Sequence, residues 1–375
     1  MKKLLFVLGT RPEAIKLAPL INYFRSRATF DIKVCNTAQH REMLDEVLTL
    51  FSIIPDYDLN VMTHAQSLSG VLSKCLEGIS DVMEKYQPDI VFVQGDTTTA
   101  FAGAMAAFYK KIKIAHVEAG LRSGDKFSPF PEEINRVFIS KIADYHFAPT
   151  DAAYGQLLSE GVTKNVWNVG NTVIDALLEA VAIIKINEAN FKAHFSFLDI
   201  TKRTILLTSH RRENFGQPLK DICAVVKDLI HTYKDVQVVY PVHPNPNIKE
   251  VIYKELSSIE NVHLIEPLSY PYLIYLMKIS YLIITDSGGI QEEAPSLGKP
   301  VVVIRESTER MEGINAGTAV MGGNTYASVW KAVAGIMDDQ KIYNAMSLAV
   351  NPYGDGKAAQ KIYAAIADLT EKGEL

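Results

Sequence analysis

The polar residues with chemical potential in this chain each follow a short apolar run. Arg11 comes after Lys3–Leu8, Asp96 after Ile90–Gln94, and Glu118 directly after Ile112–Val117. His210 comes after Thr204–Thr208, His243 after Val236–Pro241, and Asp286 after Tyr281–Thr285. Arg11, Lys16 and the pair Arg211-Arg212 suit phosphate oxygens. Ser287, Gly288 and Gly289 have almost no side chain, and they open a helix whose bare N–H groups and dipole attract phosphate. Glu292 and Glu293 lie one turn in, where a carboxylate accepts sugar hydroxyls. Asp96, Glu118 and Glu132 supply acids for proton transfer, and His210 is placed to meet a phosphate. Together these groups fit a nucleotide sugar. Each also has a plainer reading. Asp96 before three threonines suits a helix N-cap, Glu132 a first-turn acid favoured by the dipole, and Arg11, Lys16 and Arg310 solvated charges. The shared position at strand ends, in both halves of the chain, favours a functional cleft.

Those strand ends belong to a repeated pattern. Apolar strands alternate with helices from Lys3 to about residue 168, and the alternation restarts at Thr204 after a stretch of mixed polarity near 185–202. The pattern predicts parallel sheets built from strand–helix–strand units. We expect an α/β fold of two Rossmann-like, doubly wound domains facing each other across a cleft, with ligands beyond the carboxyl ends of the strands. The Walker pattern is absent, and no GxGxxG follows the first strand, so neither an ordinary nucleotide triphosphatase nor a bound dinucleotide is expected.

The 375 residues are 48% hydrophobic and 22% charged, with a formal net charge of −5. That balance suits a globular protein of about two domains and disfavours a general nucleic-acid binder. Cys35, Cys75 and Cys223 are far apart with apolar neighbours, and are expected as buried, reduced thiols. No clustered Cys and His residues suggest a metal site, and no cofactor is expected. No apolar segment approaches the ~18 residues a membrane span needs. Met1–Gly9 is too short in its apolar part for a signal peptide, so a cytoplasmic protein is expected.

Several motifs stand in order: Gly9-Thr-Arg-Pro-Glu13, Ala38-Gln-His-Arg41, Gly95-Asp-Thr-Thr98, His116-Val-Glu-Ala-Gly-Leu-Arg122, Pro131-Glu-Glu133, His210-Arg-Arg-Glu-Asn214, Asp286-Ser-Gly-Gly-Ile-Gln-Glu-Glu293 and Asn351-Pro-Tyr-Gly-Asp-Gly356. This ordered set closely resembles the bacterial non-hydrolysing UDP-N-acetylglucosamine 2-epimerases over essentially the whole chain. The resemblance implies the glycosyltransferase-B fold, with an N-terminal domain of residues 1–168 plus 358–375 and a UDP-binding domain of residues 169–357. It implies reversible conversion of UDP-GlcNAc to UDP-ManNAc by elimination of UDP and re-addition, in supply of surface polysaccharide synthesis, by a homodimer. The implied catalytic residues are Asp96, Glu118, Glu132 and His210. Arg11, Lys16, Ser287, Gly288, Gly289, Glu293 and Arg310 would bind substrate. Gln39, His40, Arg211 and His243 match a site where UDP-GlcNAc also acts as an allosteric activator. The chain departs from some members by carrying Glu42, Ala65 and Leu268. A glycosyltransferase of the same fold, or a nucleotide-sugar binding protein without catalysis, stays open as an alternative.

Overall fold

Leu4, Leu5, Phe6, Val7 and Leu8 are all 0% exposed. A continuous apolar run buried on both faces is what a parallel strand between two helical layers requires. The computed structural model describes residues 1–39, 41–62 and 67–375. In it the chain divides into two compact units, Met1–Glu179 with Tyr353–Leu375, and Ala180–Pro352.

The first unit holds strands β1 (Lys3–Leu8), β2 (Asp31–Asn36), β3 (Tyr57–Asp58), β4 (Ile90–Gln94), β5 (Lys113–Val117), β6 (Tyr145–Ala148) and β7 (Val166–Asn168). They form one sheet in the order β3-β2-β1-β4-β5-β6-β7. The second unit holds β8 (Arg203–Thr208), β9 (Val236–Pro241), β10 (Val262–Ile265), β11 (Leu282–Thr285), β12 (Val301–Val303) and β13 (Ala319–Met321). Their order is β10-β9-β8-β11-β12-β13. The recorded pairings are parallel throughout. In each sheet the winding reverses beside the first strand, between β1 and β4 and between β8 and β11. A doubly wound sheet opens a crevice for ligands at such a point.

Helices cover both sheets. The helix Thr98–Tyr109 buries Ala100, Ala102, Gly103, Ala104, Ala106 and Ala107, small residues that allow close approach to the strands. Ser67, Thr97, Thr150 and Thr325 cap their helices, each side-chain oxygen accepting a backbone N–H of the first turn. Burying one Leu, Ile or Val side chain in such a core contributes about 1.5–3 kcal/mol, and Leu4, Leu5, Val91 and Val93 are all at 0% exposure. The cysteines are free and buried.

Among the elements that the sequence pattern does not predict, three are instructive. The helix Pro246–Leu256 starts where two prolines suggest only a turn. Asn245 caps it, Pro246 occupies its first position, and Ile248, Ile252 and Leu256 form its buried face. The strand β3 is two residues long, too short to show a period. The helix Glu188–His194 has no fully buried residue, so its sequence lacks an apolar stripe. The last helix, Ala358–Glu371, belongs to the first unit. Asp175 accepts N–H from Ala358 at 3.2 Å and Ala359 at 2.9 Å, and Tyr363 packs edge-on against Phe24. No helix among the described residues is long and apolar enough to cross a membrane.

Candidate active site

In the first unit the predicted acids and cations stand in the segments after β1, β4 and β5 and at the start of the helix Glu132–Ile142. Asp96 follows β4 by two residues, and it is held from the helix Glu132–Ile142. Arg136 Nη2 lies 2.7 Å from its carboxylate, and Asn135 Nδ2 donates to its backbone carbonyl at 2.9 Å. Burial raises the Asp96 pKa most, Arg136 opposes it, and Glu118 and Glu132 raise it further, to about 6. Yet 27% of its side chain remains open to solvent. An acid that changes charge near neutrality while remaining reachable is suited to proton transfer. Glu118 sits directly after β5 with φ of 66°, in the left-handed region uncommon for a side chain of its kind. This turn aims it at Lys16, with which it forms a close ion pair, and at Gln94, whose Nε2 donates to it at 3.1 Å. Both partners of the ion pair are mostly buried. Glu132 is the first residue of its helix and is half-buried. Arg11 is half-buried at the start of the helix Arg11–Arg27.

His116, two residues before Glu118, is fully buried. Burial holds its pKa down at about 3, so the neutral ring donates from Nε2 to the Gly95 carbonyl at 2.8 Å. His116 therefore braces the loop before Asp96, and like His146 it is a buried residue of its strand.

In the second unit the centre is Asp286, fully buried at the end of β11. Its Oδ2 accepts from the His210 N–H at 2.7 Å, the Arg211 N–H at 2.8 Å, the Ser209 hydroxyl at 3.1 Å and Asn214 Nδ2 at 3.1 Å. His210 Nδ1 stands 3.0 Å from Oδ1. Burial pushes the Asp286 pKa up, but the His210 imidazole and the N–H donors outweigh it, and the carboxyl stays below its ordinary range. The His210 ring keeps 41% exposure, so its other nitrogen is free to face a ligand. The His243 ring lies parallel to it at 6.2 Å.

The helix after Asp286 runs Gly288–Glu293, with Ser287 as its N-cap, and continues as a 3₁₀ turn over Ala294–Leu297. The sequence predicts one helix from Ile290 to Leu297. Pro295 explains the tightening, because its ring removes an N–H and disfavours an α-turn there. Arg310 lies over the start of this helix. A Cβ on Gly288 would stand 2.9 Å from the Arg310 guanidinium carbon, so a residue without one is needed for that approach. Arg310 Nε donates to Glu292 at 3.0 Å, and Tyr270 donates to Glu293 at 2.5 Å. Arg310 and Glu293 are thus already braced by neighbours, as preorganised ligand groups are.

His40 and Ala65 lie outside the described residues, as does the side chain of Glu42. Gln39 accepts from the Thr99 hydroxyl at 3.2 Å. Leu268 precedes the helix Tyr270–Ile279 and is half-buried.

The profile of the family described as UDP-N-acetylglucosamine 2-epimerase matches residues 22–367. The UDP-N-acetylglucosamine 2-epimerase of Escherichia coli K12 is 48% identical over 369 residues, spanning 97% of this chain and 98% of the relative. The chain belongs to the UDP-N-acetylglucosamine 2-epimerase family. It is an isomerase of that family, as its motifs imply. The crystal structure of the Neisseria meningitidis UDP-GlcNAc 2-epimerase bound to UDP-GlcNAc superposes with a TM-score of 0.90 at 46% identity, over 98% of this chain and all of that one. A spinosyn rhamnosyltransferase, 14% identical, shares the fold alone with a TM-score of 0.59. The two parallel sheets are of the glycosyltransferase-B type.

Sequence reasoning did not find the supporting residues of this epimerase. Arg136 had a signal, since it follows Glu132 and Glu133 at helical spacing and so shares their face. Gln94 is the last residue of an otherwise apolar strand. Asp286 stands at a strand end, as its sequence position implies, and its carboxylate faces the loop after β8. Asn214 ties that loop to the Ile304 carbonyl at 3.1 Å as well as to Asp286.

Proposed function

We propose that the enzyme interconverts UDP-GlcNAc and UDP-ManNAc by elimination and re-addition of UDP, and so supplies UDP-ManNAc for surface polysaccharide synthesis. The C2 proton of the sugar has no adjacent carbonyl, so direct abstraction is very slow. Breaking the C1–O bond with oxocarbenium character activates that position. One carboxylate takes the C2 proton as UDP departs with the bonding electrons, leaving 2-acetamidoglucal with a C1–C2 double bond. A second acid delivers a proton to the opposite face of C2, and a phosphate oxygen of UDP adds back at C1. Atoms and charge balance without a redox partner.

Asp96, Glu118 and Glu132 act on C2 in this reading. Ser287, Gly288, Gly289, Arg310 and His210 hold the diphosphate, with Arg11 and Lys16 as further cations, and Glu293 binds the ribose. Charge that builds on the departing diphosphate is stabilised by such preorganised donors. Gln39, Arg211 and His243 contact a second UDP-GlcNAc that acts as activator. The observation that carries the reading is the pair of strand-end carboxylates Asp96 and Glu118, each held by its own cation, Arg136 and Lys16. The test is to incubate the purified chain with UDP-GlcNAc and no acceptor, and to follow the sugar by proton NMR. UDP-ManNAc with little free UDP is the expected product. Turnover only when a sugar acceptor is added would instead identify a glycosyltransferase.

A further inference from the structure

The first sheet reverses its winding between β1 and β4; the helix after β1 carries Arg11 and Lys16, and the loop after β4 carries Asp96. Glu13, in the first turn of that helix, faces the β4 loop at 0% exposure. Its Oε2 accepts from the Gly9 N–H at 3.1 Å, the Thr10 N–H at 2.8 Å and the Thr10 hydroxyl at 2.7 Å. Its Oε1 accepts from the Thr97 hydroxyl at 2.7 Å. Thr97 in turn accepts the Ala100 N–H at 3.0 Å and caps the helix that follows Asp96. Beside this lies a second tight contact. The Thr37 and Thr99 hydroxyls stand 2.9 Å apart, and a Cβ on Gly9 would meet them at 2.0 and 2.5 Å.

Part of this bonding is a capping box, in which Glu13 at the third helical position accepts the Thr10 N–H, but the bond to Thr97 lies outside it. Other helices of the chain are capped by a Ser or Thr hydroxyl with no buried acid. Burying an ionisable group is costly unless it is fully bonded. What Glu13 adds over a simple cap is the bond across the winding reversal to Thr97, the neighbour of Asp96. The second unit has the same device in mirror order, with buried Asp286 of the β11 loop bonded to the His210 and Arg211 N–H groups of the β8 loop.

We infer that Glu13 is a positioning residue for epimerisation, its carboxylate fixing the start of the helix that carries Arg11 and Lys16 against the loop that carries Asp96. The inference rests on the proposed function. A shift of about 1 Å in a reacting group costs on the order of 100-fold in rate, so the effect belongs to turnover more than to binding.

The test uses E13Q, T97V, T97S and the double variant E13Q/T97V in the full chain, with kcat and KM read in the acceptor-free NMR assay. E13Q keeps the shape and the carbonyl oxygen facing Gly9 and Thr10, but reverses polarity toward Thr97. We expect kcat to fall roughly 10-fold or more in E13Q and in T97V while KM moves less than about threefold. The double variant should fall little below the weaker single variant, because both remove one link. T97S, which keeps the hydroxyl, should recover most of the T97V loss. Unchanged kcat in E13Q and T97V, or losses that multiply in the double variant, overturns the inference. If E13Q does not fold, T97V against T97S decides alone, and equal kcat in these two overturns it. A wild-type chain that fails to convert UDP-GlcNAc overturns the proposed function, and the inference with it. An active wild type with unaffected variants overturns the inference only.

Discussion

Asp96 illustrates how one residue is tuned by what surrounds it. Its pKa of about 6 is raised from the ordinary 3.8 by burial, then lowered by Arg136 and raised again by Glu118 and Glu132. In the direction where Asp96 takes a proton, it must be ionised, so the rate falls as pH drops through about 6. The reverse reaction shows the same inflection in kcat/KM, because the equilibrium between two sugars of equal charge does not depend on pH. Arg136→Met removes the cation that favours the charged form. The inflection should then move up by roughly one pH unit, as read from kcat/KM against pH in both directions. A profile unmoved by the substitution would contradict the assignment of Asp96. Asp96 and Glu118 stand out in the sequence because each follows an apolar run and a sheet presents such positions together, whereas Glu132 follows Pro131 at a helix start. Their counter-charges stand out less. Arg136 belongs to a helix 40 residues further on, and only folding brings its guanidinium within 2.7 Å of Asp96. The left-handed turn of Glu118 leaves no trace in residue types, since glycine would be the usual occupant of that conformation.

At the scale of elements, the turn after β11 shows what a glycine does. Gly288 lets Arg310 pack over the helix start, with the guanidinium carbon 2.9 Å from where a Cβ would be. Gly288→Ala should push Arg310 aside and weaken UDP binding by about 10-fold, on the order of 1.4 kcal/mol. Calorimetric titration with UDP measures it, and unchanged affinity would contradict the placement of the diphosphate there. The fold should survive, because the displaced atoms end a flexible side chain. The sequence made this strand–turn–helix plain through its Ser-Gly-Gly run. It did not show the break into a 3₁₀ turn at Ala294–Leu297, which Pro295 signals only once the helix start is known. The helix Pro246–Leu256 was hidden for a related reason. Prolines on both sides of Asn245 read as a turn, although proline in the first helical position is well tolerated. Its apolar residues Ile248, Ile252 and Leu256 do keep a four-residue spacing, which a count of that short segment would have found.

The whole molecule repeats one solution twice. Each unit is a parallel sheet whose winding reverses beside its first strand, and each has a buried carboxylate, Glu13 or Asp286, binding the loops on either side of that reversal. The alternation of strands and helices made both sheets legible from the sequence. The cross-loop bonds were not, because they join residues as far apart as 84 positions in the case of Glu13 and Thr97. The proposed division of labour assigns proton transfer to the first unit and retention of UDP to the second. Its central claim is that the C2 proton is lost and replaced from solvent while UDP is detached from C1. The most direct measurement is turnover of UDP-GlcNAc in D2O, with deuterium at C2 read by proton NMR and mass spectrometry. The account predicts UDP-ManNAc carrying deuterium at C2, and UDP-GlcNAc that gains the same label as equilibrium is approached. UDP-ManNAc formed with its original C2 proton fully retained would contradict it.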